Sequence, residues 1–349
     1  MKKLIFFFLS AIFVLQGVAQ ATNAKLDTLI SAYAHQKAFN GTVLVAQKGK
    51  ILFEKGYGYK NKSEGTFNDV NTIFQIGSIT KQFTSTIILQ LAEKKQLNLQ
   101  DRLSKYFPDF PKGDSITIEH LLTHTSGIYN YTNDGDFMKK NSEKPISRDS
   151  LIARFKNKPL DFGPGTNWSY SNSGYILLGA IIEKVTGKSY FRVVRENIFR
   201  PLGMDHSGFD FTDLKSPDRA IGYSRDFSMA VGIVDSSVSF AAGSIYSTVG
   251  DLYKWDRALY TGAVVSRASL EKAFTEYKSS YGYGWFIRDA FGKKTVGHPG
   301  GITGFSSFMM RVPEDETFVI LLSNCPSPAL AKIDFAIDAL LNGQEPELP

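Results

Sequence analysis

The sequence predicts an α+β fold in which an antiparallel β-sheet, flanked by helices and built from both chain ends, carries an inserted and mostly helical domain. Strand patterns, in which apolar and β-branched residues alternate with polar ones, occur near residues 41–59 and again over 283–322. Between these two regions, helical spacings alternate with Gly-, Pro- and Asn-rich loops. With 349 residues, 43% of them hydrophobic, the chain is long enough to bury the core of such a fold.

The predicted organisation has three parts. Residues 1–21 are a signal peptide, residues 22–80 together with 240–349 form the sheet domain, and residues 81–239 form the mostly helical domain. We expect a catalytic cleft between these two domains.

The first residues have the pattern of an export signal. Lys2 and Lys3 precede an apolar run from Leu4 to Leu15, and Ala19-Gln20-Ala21 is the small-x-small pattern that a signal peptidase cleaves. The apolar run is too short to span a bilayer comfortably, and no second run of membrane length follows it. We therefore expect an exported protein, periplasmic or secreted, with no stable membrane insertion after cleavage.

Composition argues against several other classes of protein. Removal of the two signal lysines lowers the net charge from +6 to +4, and the basic residues are scattered, so a nucleic-acid partner gains no support. The single cysteine, Cys325, excludes an internal disulfide, and its apolar surroundings predict a buried hydrophobe rather than a nucleophile. Neither a His-Glu-x-x-His motif nor a cysteine pair occurs, so we expect no metal and no other cofactor.

The elements follow from local patterns. Residues 41–59 alternate around the turn Lys48-Gly49-Lys50 and predict a β-hairpin. Spacings of three and four after Ser78 predict an amphipathic helix, with apolar residues Phe83, Ile87, Ile88 and Leu91. Further helical patterns cover residues 118–122, 175–185, 191–198, 248–260 and 329–341. Further strand patterns cover residues 283–287, 293–297, 305–311 and 317–322.

The first candidate for chemistry is Ser78-Ile79-Thr80-Lys81. A lysine three residues after a serine shares one helix face with it, and a lysine that is neutral can take the proton of the serine hydroxyl. Gly77 would let another backbone segment approach the serine closely. The same spacing also fits an N-cap serine followed by a solvated lysine, so the motif needs support from elsewhere in the chain.

Two further motifs supply candidate partners. Tyr170-Ser171-Asn172 lies on a loop that enters a helical pattern, where Tyr170 could share a proton with Lys81 and Asn172 could both donate and accept hydrogen bonds. A turn with a buried tyrosine is the alternative. His298-Pro299-Gly300-Gly301 ends a strand pattern, and its glycines would let a substrate lie along the strand edge.

In this order and at these separations, the three motifs resemble the Ser-x-x-Lys, Tyr-x-Asn and Lys/His-x-Gly motifs of class C β-lactamases, D-alanyl-D-alanine carboxypeptidases and family VIII esterases. The resemblance covers nearly the whole chain after residue 21 and implies a β-lactamase/transpeptidase-like fold. Supporting stretches lie at residues 118–127, 170–187, 201–204, 242–244 and 247–248.

Roles for the site residues come from this resemblance. It implies that Ser78 attacks a carbonyl and that Lys81 and Tyr170 transfer its proton, and it leaves open which of the two is the base. It also implies that Asn172 orients Lys81 and the substrate, and that the backbone N–H groups of Ser78 and Gly301 form the oxyanion hole, with Gly300 beside them.

The third motif departs from class C β-lactamases, since His298 stands where those enzymes carry lysine. Histidine is mostly neutral near pH 7 and holds a substrate carboxylate less firmly, so potent β-lactamase activity is not expected. We still predict a substrate-binding role for His298. His120 and His124 are expected to brace a loop, and residues 129–148, polar and rich in Asn and Lys, are interpreted as solvated surface rather than a cleft loop.

The resemblance implies an exported serine hydrolase that cleaves a short-chain ester, a D-residue peptide or a β-lactam. Its partner would be a small molecule or a peptide, with cell-wall peptide among the candidates. An α/β-hydrolase is the rival mechanism, but it needs a Gly-x-Ser-x-Gly elbow that this chain lacks. A catalytically silent module that senses penicillin or peptidoglycan is the alternative from a different class.

Overall fold

The computed structural model describes residues 21–349, and its centre is a six-stranded sheet with the strand order β2-β1-β10-β9-β8-β7. Every neighbouring pair in it is antiparallel. Its strands are β1 (Gly41–Gln47), β2 (Lys50–Tyr57), β7 (Phe286–Ala290), β8 (Lys293–Ile302), β9 (Phe305–Val312) and β10 (Thr317–Ser323). Because β1 pairs with β10, both ends of the chain build one sheet, as the sequence predicts.

Four short strands lie outside this sheet and form two pairs. They are β3 (Tyr59–Asn61) with β4 (Thr66–Phe67), and β5 (Phe74–Gln75) with β6 (Tyr246–Ser247). The second pair ties the segment just before Ser78 to the segment that follows residue 243.

Helices flank the sheet and fill the middle of the chain. The first five helices along the chain are α1 (21–35), α2 (Thr80–Glu93), α3 (Ile118–Leu122), α4 (Gly135–Asn141) and α5 (Arg148–Lys156). The others are α6 (Asn172–Thr186), α7 (Tyr190–Val194), α8 (Arg200–Leu202), α9 (Ser236–Gly243), α10 (Val249–Thr261), α11 (Arg267–Ala273) and α12 (Leu330–Leu341). A π-helical turn at Arg195–Phe199 joins α7 to α8. Within residues 21–349, no helix is long and apolar enough to cross a membrane.

The predicted signal peptide lies outside the described residues except for Ala21, which is part of α1. Most of the other predicted elements are found within a few residues of their predicted bounds. The strand predicted at 293–297 continues to Ile302 and so includes His298, Gly300 and Gly301. The strand predicted at 283–287 begins only at Phe286. The residues before it are held in a turn in which the N–H of Gly282 donates to the carbonyl of Trp285, so they cannot start the ladder.

The two faces of the sheet bury different sets of side chains, because successive residues of a strand point in opposite directions. In β1, Val43 and Val45 belong to a cluster with α1 and α12, whereas Leu44 and Ala46 belong to the larger cluster that includes α2, α6 and α10. That larger core runs without a break from the sheet into the middle of the chain. The division into two domains at residues 80/81 and 239/240 therefore stays a prediction.

Helix α2 is more central than its amphipathic pattern suggests, since most of its polar residues are buried along with its apolar ones. Two of these polar side chains have partners on other helices. Thr84 donates to the carbonyl of Ala241 at 2.7 Å, and Gln82 accepts from the indole N–H of Trp255 at 3.1 Å. These bonds satisfy polar groups that would otherwise be costly to bury.

A buried ion pair attaches α10 to the sheet. Arg311 on β9 donates from Nε to Asp256 on α10 at 2.8 Å, with the two side chains only 1% and 0% exposed. We predict that Arg311→Met lowers the free energy of unfolding by about 3–5 kcal/mol, because it leaves a buried carboxylate unpaired.

The matched control is Arg267→Met on α11, which breaks a pair with Glu271 whose side chains are 93% and 68% exposed. This change should cost at most about 0.5 kcal/mol. Urea titrations of both variants measure the difference, and equal losses would contradict a structural role for the buried pair.

Candidate active site

Ser78 lies in a tight helical turn, Gly77–Ile79, that leads directly into α2. Gly77 has a φ of +51°, and a Cβ on it would stand 2.8 Å from the backbone nitrogen of Gly301 on β8. A side chain at residue 77 would therefore push the nucleophile's turn away from the strand. The close approach predicted for Gly77 is confirmed, and the neighbouring backbone is that of Gly301.

Lys81 lies in the first turn of α2, and its side chain is fully buried. Its Nζ is 3.1 Å from Ser78 Oγ, 2.8 Å from Asn172 Oδ1 and 2.8 Å from the carbonyl oxygen of Ala242. The ring centroids of Tyr170 and Tyr175 lie 4.8 and 5.3 Å from the same atom. Burial lowers the pKa of Lys81 well below its usual value.

The three contacts of Lys81 can be made by the neutral amine, the form that its burial favours. A neutral amine has two N–H donors and one lone pair, and the carbonyl of Ala242 and the amide oxygen of Asn172 can only accept. Donation to these two oxygens leaves the lone pair for the hydroxyl of Ser78. The arrangement is that of a base beside the nucleophile whose proton it would take.

Asn172 begins α6, and a loop that reaches across from residues 130–132 fixes its orientation. Its side-chain nitrogen donates to Thr132 Oγ1 at 3.1 Å, and its backbone N–H donates to Asn130 Oδ1 at 3.1 Å. With the nitrogen engaged there, the oxygen faces Lys81.

The interpretation of residues 129–148 as solvated surface is wrong for the part of the loop that meets the site. Tyr131, Thr132 and Met138 line the cleft at Ser78, and Tyr131 is 2% exposed. The overall polarity of the stretch concealed this role. The two tyrosines Tyr129 and Tyr131 were the available signal of a partly buried segment, since large aromatic side chains are uncommon in fully solvated loops.

Helix α9 supplies the carbonyl that holds Lys81, and it does so through a break in the helix. Phe240 has φ 36° and ψ −134° and is buried, a backbone conformation that costs a non-glycine residue roughly 1–3 kcal/mol. The following carbonyls, of Ala241 and Ala242, then bond to Thr84 and Lys81 on α2. No side-chain pattern in the sequence predicts these backbone contacts.

Tyr170 lies half-buried beside Lys81 and Ser78. Burial raises the pKa of its phenol, while a hydrogen bond with the Ser78 side chain lowers it by a smaller amount. The phenol therefore keeps its proton at neutral pH. It is suited to pass a proton rather than to remove the first one.

His124 packs directly behind Tyr170, with ring centroids 4.3 Å apart, and is 1% exposed. Its Nδ1 accepts a hydrogen bond from the backbone N–H of Ser171 at 3.1 Å, which holds the loop that carries Tyr170. Burial lowers its pKa well below the usual value. The bracing role predicted for His124 is confirmed by this contact.

His298, in contrast, does not have the place that its predicted substrate-binding role requires. It is 1% exposed, with Nδ1 2.5 Å from the carbonyl oxygen of Pro299 and Nε2 3.0 Å from the hydroxyl of Tyr281. Since a carbonyl can only accept, Nδ1 carries the proton and Nε2 accepts from Tyr281. Burial lowers the pKa of His298 to about 3, so the ring is neutral and both nitrogens are engaged.

The two glycines of the third motif face different surroundings. A Cβ on Gly300 would stand 2.1 Å from the carbonyl oxygen of Ile76, so that position permits close contact between β8 and the segment before Ser78. Gly301 faces open space and lines the cleft together with Ser78 and Asn172. Within residues 21–349, no group of three or more His, Cys, Asp and Glu side chains is placed to hold a metal ion.

Comparison with known proteins identifies the family of the chain. The Beta-lactamase family model matches residues 26–342. The chain is 36% identical over 317 residues to the protein PbpX of Bacillus subtilis strain 168, an alignment that covers 90% of this chain and 78% of PbpX.

Two solved structures are similar to it. The octameric penicillin-binding protein homologue from Pyrococcus abyssi has a TM-score of 0.82 and 30% identity, covering 93% of this chain and 78% of that one. A D-stereospecific amidohydrolase from Streptomyces sp. has a TM-score of 0.75 and 27% identity, covering 93% of this chain and 99% of that one. The fold is accordingly the β-lactamase/transpeptidase type that the three motifs implied, and its relatives include serine-hydrolase-like proteins. With the family model spanning almost all the described residues and Ser78, Lys81, Tyr170 and Asn172 gathered at one cleft, the chain belongs to the beta-lactamase family.

Proposed function

We propose that the protein is an exported serine hydrolase that cleaves an ester or amide through an acyl-enzyme on Ser78. The observation that carries this proposal is the 3.1 Å contact between Lys81 Nζ and Ser78 Oγ, made by an amine whose other two contacts are acceptors only. A sensor that binds its ligand without a covalent bond would have no use for a nucleophile held in this way.

Lys81 is the general base in this proposal. It takes the proton of Ser78 as Oγ bonds to the carbonyl carbon, and the carbonyl oxygen becomes an oxyanion. Backbone N–H groups of Ser78 and Gly301 would stabilise that charge, at roughly 3–4 kcal/mol for each donor. The roles of Lys81 as base and of the two N–H groups as oxyanion donors are proposed for the complex with a bound substrate.

Tyr170 completes the proton transfer. Its phenol, kept protonated by burial, gives its proton to the leaving alcohol or amine and regains one from the protonated Lys81. The bond between the carbonyl carbon and the leaving group breaks, which leaves an acyl-Ser78 ester. A water molecule then attacks that ester, with Lys81 accepting its proton. The bond between the carbonyl carbon and Ser78 Oγ breaks, Lys81 returns the proton to Oγ, and the acid product departs.

The substrates to consider are short-chain esters, D-residue peptides such as those of the cell wall, and β-lactams. Similarity to a D-stereospecific amidohydrolase supports the amide class. Export is proposed from the sequence of residues 1–21.

We predict that Ser78→Ala abolishes hydrolysis of a short-chain nitrophenyl ester and leaves the circular dichroism spectrum unchanged, because only the nucleophilic oxygen is lost. Ser85→Ala is the matched control. Ser85 lies in the second turn of α2 and is buried, and its hydroxyl has no partner among the described residues.

Full activity in Ser78→Ala would contradict the proposal. Penicillin attached to Ser78 of the wild type without any turnover would instead favour the sensor. Intact-protein mass spectrometry distinguishes these outcomes.

We also predict that Gly77→Ala lowers kcat by about 10²–10³, the loss typical of one displaced oxyanion donor, because the new Cβ would separate the Ser78 turn from Gly301. Gly65→Ala is the control, since Gly65 has a similar φ of +67° but open space around it. It should carry a similar backbone strain with an unchanged kcat. Steady-state kinetics of both variants measure the difference. An unchanged kcat in Gly77→Ala would contradict the proposal that the Ser78 and Gly301 N–H groups form the oxyanion hole.

A further inference from the structure

We propose that this cleft selects substrates whose acyl group is apolar and uncharged, and that it rejects an acyl group that ends in a carboxylate. The inference rests on the proposed function, since it concerns the substrate of the same Ser78 site. It follows from the uncharged side chains that line the cleft and from the position of the basic side chains outside that lining.

The wall of the cleft beside Ser78 is largely apolar. The cavity measures about 100 Å³, and its hydrophobic lining is Met138, Val234, Val238, Ala242 and Ile302. These residues come from three separate parts of the chain, so the apolar surface is built by the fold and not by one local run. An alkyl chain attached to the reacting carbonyl would be removed from water against this wall.

The remaining lining residues are polar but uncharged. They are hydroxyl, amide and glycine residues, namely Ser78, Tyr131, Thr132, Asn172, Ser239, Gly243, Gly301 and Thr303. Among the described residues that line this cavity, none is Lys, Arg, His, Asp or Glu. A carboxylate that entered would therefore lose hydration without gaining an ionic partner.

Basic side chains near the cleft do not line it. Arg148 donates to the carbonyl of Ser237 at 3.3 Å and lies over the ring of Phe240. Lys81 is fully buried, which favours the neutral amine that activates Ser78. His298 is neutral and turned inward, with one nitrogen donating to Pro299 and the other accepting from Tyr281. The contact between Tyr281 and His298 thus helps to keep positive charge out of the substrate's path.

A matched pair of esters tests this selection. 4-Nitrophenyl pentanoate and mono-4-nitrophenyl glutarate have equally long acyl chains that end in a methyl group and a carboxylate respectively. With the rate of Ser78→Ala subtracted as background, we expect kcat/KM for the glutarate ester to be lower by roughly 100-fold. Values within threefold of each other would overturn the inference.

A pair of variants tests whether missing positive charge is the cause. Thr303 is exposed at the rim of the cleft. Thr303→Lys should lower the ratio of kcat/KM for the pentanoate ester to that for the glutarate ester at least tenfold. High salt should reduce this effect, because it screens the added charge. The neutral Thr303→Gln should leave the ratio unchanged. The same ratio in both variants would overturn the electrostatic explanation.

Labelling with a fluorophosphonate separates this inference from the proposed function. Labelling of Ser78 together with equal rates for the two esters overturns the substrate selection and keeps the serine hydrolase. Failure of Ser78 to react at all overturns the proposed function itself.

Discussion

The site depends on one constraint, the burial of the Lys81 amine among oxygens that carry no formal charge. Burial lowers the pKa of Lys81, and no opposing effect of a nearby carboxylate offsets it. Burial of this kind favours the neutral form of a lysine, and a neutral lysine next to a serine can act as a base. The chemistry proposed for Ser78 thus follows from the desolvation of its neighbour, and the family's motifs specify where that desolvation occurs.

Much of the surrounding structure keeps this amine buried and oriented. Helix α9 is broken at Phe240 so that the carbonyl of Ala242 points at Lys81, and α6 begins with Asn172 so that its amide oxygen does the same. Gly77 and Gly300 let the turn before α2 lie against β8, which brings Gly301 to the nucleophile. Burial of the Phe240 ring in the large continuous core offsets the free-energy cost of its strained backbone. The same inward organisation engages His298 with Tyr281, so the substrate meets an uncharged surface.

The sequence predicted the parts that depend on side-chain type and spacing. Period-two patterns predicted the strands at both ends of the chain. Strands at both ends with helices between them implied one antiparallel sheet. Ser78, Lys81, Tyr170 and Asn172 could be assembled because each is marked by a motif. Contacts made by backbone atoms, such as the carbonyl of Ala242, leave no side-chain signature. The inward orientation of His298 depends on Tyr281, a residue 17 positions away whose hydroxyl could have had many partners. The cleft role of Thr132 was hidden by the polar composition of its loop.

The most direct test of this account is the ionisation of Lys81 in the folded protein. Lysine labelled with ¹⁵N or ¹³C at the side-chain end can be followed by NMR across a pH titration, with Lys81→Arg identifying the resonance. We predict that the Lys81 amine loses its proton well below the usual pH range of a lysine side chain. A Lys81 resonance that titrates within that usual range would contradict the account, because a permanently charged amine could not take the proton of Ser78.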